Sequence, residues 1–196
     1  MVDGDVVAVV CDGISSSASA DLAARRAAAA TGAVLADALR DGSPAGRRDT
    51  QRDPRGAGRR CAAAADAPRR LAAPSCTLVS ALVREDELVI GWLGDSRAYW
   101  IAPSVARQLT VDDSWASEQV VTVAPTASGR LVLCTDGLWN YAPGAADLAE
   151  LLDDLPAAAS AAAVARSLTD IALARGGHDN ITVAVVDVRP QRRSLS

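Results

Sequence analysis

Between residues 76 and 109 four apolar runs follow one another with only a few polar residues between them, and no other feature constrains the fold as tightly. The runs are Cys76–Arg84, 88–93, 98–101 and 106–109, and the first connector is built on Glu85-Asp86-Glu87. Parallel neighbours need a crossover of about a dozen residues or more, so connectors this short predict antiparallel hairpins. Further strand-like runs stand at Val6-Val7-Ala8-Val9-Val10-Cys11, at 131–135, at 180–188 and, more briefly, at 120–123. Helical patterns flank them. Ala20–Arg40 carries Leu22, Ala29, Ala33, Leu35 and Leu39 among small residues, with serines from Ser15 to Ser19 offering N-caps. Two more helices are predicted at 145–154 and 157–174, the latter stopped by Gly176-Gly177. Blocks of strands with helices towards both ends predict an α+β layered domain with largely antiparallel sheets.

A chain of 196 residues suits one compact domain with its own core, expected over 1–188. Residues 41–60, a mixture of Gly, Pro, Asp and Arg without periodicity, read as a flexible exposed loop. A short Ala-rich helix is expected at 61–71, a break at Pro74 and a polar tail at 189–196. Phe is absent, so the core must be built from Val, Leu, Ile and Ala. All twenty basic residues are Arg and the net charge is −4, a balance that argues against a nucleic-acid partner. No apolar run reaches the roughly 18 residues of a membrane span. Met1 is followed by Asp3 and Asp5 instead of the basic start of a signal peptide. The expectation is a cytoplasmic monomer with no membrane partner. Cys11, Cys61, Cys76 and Cys134 share no C-x-x-C spacing, and three of them sit in or beside strand patterns, where a thiol acts as a small buried hydrophobe. One histidine, His178, excludes a multi-His metal site.

The chemistry lies in acidic residues at strand ends. The first run leads straight into Asp12-Gly13, the run at 131–135 leads into Asp136-Gly137, and Asp179-Asn180 opens onto the last run. Singly, an Asp-Gly pair is a common turn signal. Jointly, if the third strand runs antiparallel to the other two in one sheet, the three carboxylates gather at one sheet edge. Like charges so placed cost free energy unless cations neutralise them. Oxygen-only ligands suit hard divalent ions such as Mg²⁺ or Mn²⁺, and a tight Gly turn lets a backbone carbonyl join them. A fourth acid, Asp95, lies in Gly94-Asp95-Ser96-Arg97, which reads as a hairpin turn with Arg97 pairing nearby. Trp92, Leu93, Tyr99 and Trp100 beside it read as packing groups. Ser15-Ser16-Ser17 has no G-x-S-x-G context and no nearby His, so capping explains it better than nucleophilic chemistry.

In order, Val10-Cys11-Asp12-Gly13, Ser75-Cys76-Thr77-Leu78-Val79, Gly91-Trp92-Leu93-Gly94-Asp95-Ser96-Arg97-Ala98-Tyr99, Arg107-Gln108-Leu109-Thr110-Val111-Asp112-Asp113-Ser114, Leu133-Cys134-Thr135-Asp136-Gly137-Leu138-Trp139 and His178-Asp179-Asn180-Ile181-Thr182-Val183 resemble the successive motifs of PP2C-type (PPM family) metal-dependent protein serine/threonine phosphatases. The resemblance implies an α-β-β-α layered sandwich with a metal cleft at one end. It implies two Mg²⁺ or Mn²⁺ ions, with Asp12 bridging them, Gly13 contributing its carbonyl, and Asp136 and Asp179 completing the second. Asp95 falls where the family helps hold a third, weaker ion. The implied activity is hydrolysis of phosphoserine and phosphothreonine on protein substrates through a metal-bridged water. The chain departs from the family pattern in three places. It starts almost on the first matching strand, as expected of a chain shortened before a strand carrying a phosphate-binding Arg. Ile14-Ser15-Ser16-Ser17 stands where many members have Gly-Gly-His, and the segment between Asp113 and the strand before Asp136 is shorter than the usual flap. The alternative reading is a pseudophosphatase that serves as a regulatory or phosphopeptide-binding module.

Overall fold

The structure is a computed structural model that describes residues 4–14, 19–40, 75–84, 87–112 and 118–190. The loop expected at 41–60, the short helix at 61–71, Pro74, Cys61, Ser15-Ser16-Ser17 and the end of the polar tail lie outside the described residues.

Two four-stranded sheets, antiparallel throughout, form the centre. In the first, β1 (Val6–Gly13), β2 (Cys76–Arg84), β3 (Glu87–Leu93) and β6 (Gln119–Val123) lie side by side in that order. The second has the order β5 (Val105–Gln108), β4 (Arg97–Ala102), β7 (Gly129–Cys134) and β8 (Val183–Val188). Strand alternation decides which side chains meet. Val10, Val79, Ala81, Leu88, Ile90 and Trp92 of the first sheet pack against Ala98, Trp100, Leu131, Leu133 and Val186 of the second. The other face of the second sheet buries Tyr99, Val132 and Cys134 against three helices, α2 (Asp136–Trp139), α3 (Ala145–Asp153) and α4 (Ala161–Ala174), through Leu138, Leu148, Val164 and Leu168. Helix α1 (Ala20–Arg40) lies over β1 and β2 with no fully buried residue. The layers therefore run helix, sheet, sheet, helix, as the resemblance implied. Among the described residues no helix is long and apolar enough to cross a membrane.

Two sequence expectations need correction. Only β2–β3 and β4–β5 are hairpins among the closely spaced runs, because β3 and β4 belong to different sheets. The turn through Gly94, Asp95 and Ser96 carries the chain from one layer to the other. Gly94 adopts φ +86, a left-handed conformation in which a Cβ would also press on Thr77, so glycine is required there. Likewise, the strands that bear Asp12, Asp136 and Asp179 do not share one sheet: β1 lies in the first, β7 and β8 in the second.

Element boundaries follow local hydrogen bonding. Helix α4 begins at Ala161, four residues later than the expected 157, because Ser160 caps it by accepting the Ala163 N–H at 3.2 Å. Its far end closes as anticipated at Gly176-Gly177, where the Gly177 N–H reaches the Ala172 carbonyl and the Gly176 N–H that of Leu173. Ser19 does not adopt extended N-cap geometry, since its φ is +58.

Candidate metal centre

Asp12 is the penultimate residue of β1. Val6, Ala8 and Val10 of this strand face the core between the sheets, and the two-residue period brings Asp12 to the same side at the strand's end. Gly13 follows, pressed so closely against the first turn of α1 that a Cβ would collide with the Ala20 carbonyl. Opposite, β7 ends at buried Cys134, Thr135 follows, and Asp136 is the first residue of α2. Asp179 and Asn180 stand on the approach to β8, and a Cβ on Gly137 would strike the Asn180 carbonyl. Glycine is thus the residue that lets the Asp136 turn and the Asp179 segment lie in contact.

The carboxylates interact. Asp12 is raised from 3.8 to about 6, first by burial and then by the charges of Asp136 and Asp179, with the Gly13 N–H acting the other way. Asp136 is also raised, by burial first and then by Asp179 and Asp95, while the Gly137 N–H and Asp12 oppose the rise. Asp12 and Asp136 lie near enough for each to bear on the other's ionisation. The Oδ1 atom of Asp136 is shut off from solvent and has no hydrogen-bond partner, a costly state for a carboxylate oxygen. Asp179 is exposed, and its Oδ1 accepts the Asn180 N–H at 2.7 Å.

Asp95 is held by its backbone. Its carbonyl accepts the Trp139 indole N–H at 3.0 Å, and Ser96 beside it bonds Thr77 of β2 at 2.7 Å. Arg97 stacks 3.8 Å above the Trp139 ring and grips Asp112 with two hydrogen bonds of 2.9 and 2.6 Å. Its remaining donors reach the Pro143 carbonyl and the Tyr99 hydroxyl. Arg97 thus uses four hydrogen bonds in holding the protein together. His178 packs its ring near Tyr141, and its backbone N–H donates to the Tyr141 hydroxyl at 3.2 Å.

The structure thus brings Asp12, Asp95, Asp136 and Asp179 to one end of the sandwich, with Gly13 at the same strand end. Among the described residues no three acidic, His or Cys side chains are grouped tightly enough to hold one ion by themselves. The donor set still fits Mg²⁺ or Mn²⁺. Such ions keep several waters and need only one or two carboxylates each, and a cation would relieve both the mutual repulsion and the unpartnered Asp136 oxygen. Sequence reasoning missed Thr135 and Trp139 as supports of these acids. Thr135 reads as one more strand residue, although its place directly before Asp-Gly was the available signal. Two of the three strand cysteines also differ from expectation. Cys134 is buried, but Cys11 and Cys76 are half-buried, diagonal neighbours on the α1 side of β1 and β2.

A sequence model of the family described as protein phosphatase 2C matches residues 1–172. The chain belongs to the protein phosphatase 2C family. That match takes in Asp12, Asp95 and Asp136 and stops short of Asp179. The serine/threonine phosphatases stp of Listeria innocua serovar 6a and Listeria monocytogenes serotype 4b are each 31% identical over 144 residues, covering 57% of this chain and 56% of theirs. The chain spans about half the length of the curated relatives it matches. Among solved structures, the catalytic domain of the serine/threonine protein phosphatase PstP in complex with two manganese ions superposes with a TM-score of 0.69 at 24% identity, covering 96% of this chain and 93% of that one. A serine/threonine phosphatase from Staphylococcus aureus gives 0.74 at 18% identity, covering 94% and 84%. These two likenesses establish a protein phosphatase 2C fold.

Proposed function

We propose that this protein phosphatase 2C family member hydrolyses phosphoserine and phosphothreonine in proteins and depends on Mg²⁺ or Mn²⁺. The observation that carries the reading is the convergence of Asp12, Asp136 and Asp179, with Asp95 beside Asp136, around a carboxylate oxygen that is buried and unpartnered. In this reading Asp12 would serve two ions and the Gly13 carbonyl would be a further ligand, Asp136 and Asp179 would complete the second, and Asp95 would help Asp136 hold a third, weaker ion. The two manganese ions of the PstP catalytic domain support the count of two. When bound, such ions supply a water acidic enough to attack phosphorus near neutral pH and positive charge to offset that of the phosphoryl oxygens.

The chain's own groups orient the ligands. The Asn180 N–H fixes the Asp179 carboxylate, and the Gly13 and Gly137 N–H groups favour the charged forms of Asp12 and Asp136. Trp139 and Ser96 hold the Asp95 turn against α2 and β2. Cys134 beside Asp136 is no nucleophile, since it is fully buried and its thiol is pushed up to about 12 by burial.

The test is Mn²⁺-dependent hydrolysis of an aryl phosphate and of a phosphothreonine peptide by the wild type, Asp12→Ala and Asp136→Ala. Each variant is expected to lose activity by about 100-fold or more, since even an outer-shell partner of a metal site is worth 10- to 100-fold. Wild-type turnover no higher than that of the variants would overturn the proposal and leave a binding module in its place.

A further inference from the structure

Thr135, fully buried between β7 and α2, makes hydrogen bonds through every polar group it has. Its N–H donates to the Thr182 carbonyl at 3.1 Å, and its carbonyl accepts from Leu138 and Trp139 to open α2. Its hydroxyl donates to the Asn180 carbonyl at 3.0 Å and accepts the Thr182 N–H at 3.1 Å.

The reason lies in the ladder. The last paired residues of β7 and β8 are Cys134 and Val183, after which the β7 chain turns away into α2. That turn would strip the Asn180 carbonyl and the Thr182 N–H of partners. One hydroxyl, both donor and acceptor, replaces the missing rung, and among aliphatic side chains only Thr and Ser can do this. The segment it grips carries Asp179, and the residue that follows it is Asp136.

We propose that Thr135 is a positioning residue whose hydroxyl sets the spacing of Asp136 and Asp179, and through it the affinity for a divalent cation. The inference rests on the metal-centre reading given above. A valine at 135 keeps the shape but leaves both Asn180 and Thr182 unpaired, so the Asp179 segment is free to shift relative to α2.

The experiment measures Mn²⁺ binding to the full chain by the electron paramagnetic resonance of free Mn²⁺. Thr135→Val is expected to bind about tenfold more weakly and Thr135→Ser within about threefold of wild type, the range known for outer-shell partners. Thr182→Pro, which removes the backbone donor to the Thr135 hydroxyl and also fixes φ at an exposed residue, is expected to weaken binding at least about threefold. Leu168→Ala, a core truncation under α4, should lower Tm and leave Mn²⁺ affinity unchanged, which separates positioning from general stability. Should Thr135→Val fail to fold, Thr182→Pro decides the matter. Wild-type affinity in every variant that folds, with Thr182→Pro among them, would overturn the role of Thr135 alone. Absence of saturable binding to the wild type would overturn the metal centre and this inference with it.

Discussion

Replacing Asp12 by Asn should stabilise the metal-free protein at neutral pH. In the fold Asp12 is raised from 3.8 to about 6 by burial and by Asp136 and Asp179, so its ionised form is penalised relative to the unfolded chain. At 1.36 kcal/mol per pH unit the gap is worth about 3 kcal/mol. Asp12 is only partly buried, and solvent screening reduces this to about 1–1.5 kcal/mol. The penalty is absent below pH 3.8, where folded and unfolded states both hold the proton. It grows between pH 3.8 and about 6 and is complete above that. With about 2–4 °C per kcal/mol for a chain of this size, Asp12→Asn should raise Tm by about 2–6 °C in EDTA at pH 7.5 and by almost nothing at pH 4. Excess Mn²⁺ should reverse the order, because a ligand at 100 times its Kd stabilises the wild type by about 2.7 kcal/mol and the variant lacks the carboxylate proposed to bridge the ions. Differential scanning calorimetry over this pH range, with and without Mn²⁺, reads all three numbers. An Asn variant no more stable than wild type in EDTA at pH 7.5, or a gap that ignores pH, would refute the electrostatic reasoning.

Gly137→Ala forces a methyl group onto the Asn180 carbonyl and should cost about 2 kcal/mol, measured by urea unfolding, with Mn²⁺ affinity falling in parallel. Arg97→Lys loses the double hydrogen bond to Asp112 and the stack on Trp139. A destabilisation of about 1.5–3 kcal/mol is expected in thermal melts, along with a change in tryptophan emission as the Trp139 face is uncovered.

Part of the fold is legible in the sequence because β3 alternates and its connector to β2 is short. Leu88, Ile90 and Trp92 point one way and their neighbours the other, and the connector after Arg84 leaves room for nothing but a hairpin. The assignment of strands to sheets is not legible. Leu93 and Arg97 are separated by the same few residues whether the chain turns back on itself or steps across to a second layer, and only the left-handed Gly94 and the bond from Thr77 to Ser96 distinguish the two. The same ambiguity placed Asp12 in one sheet with Asp136 and Asp179, where the fold has two. Boundaries moved where a single side chain substitutes for backbone pairing. Ser160 delays α4, and the Thr135 hydroxyl keeps residues 180–182 out of β8 by bonding what a ladder would otherwise bond. Asp95 was readable as a turn residue, but the indole of Trp139 that anchors it comes from 44 positions away, a separation no local pattern encodes.

The division of the acids between layers has a mechanical consequence. Asp12 belongs to one sheet, Asp136 and Asp179 flank strands of the other, and Asp95 rides the turn that joins the two. Without a cation their repulsion acts as a wedge at that end of the sandwich, opposed by the Val, Leu and Trp packing farther in. In the proposed reading, ions shared between Asp12 of one layer and Asp136 and Asp179 of the other would work as a rivet through both. Ion loading would then tune how readily the sandwich breathes at its mouth, and amide exchange along the ends of β1, β2 and β7 is the gauge on which that tuning would register.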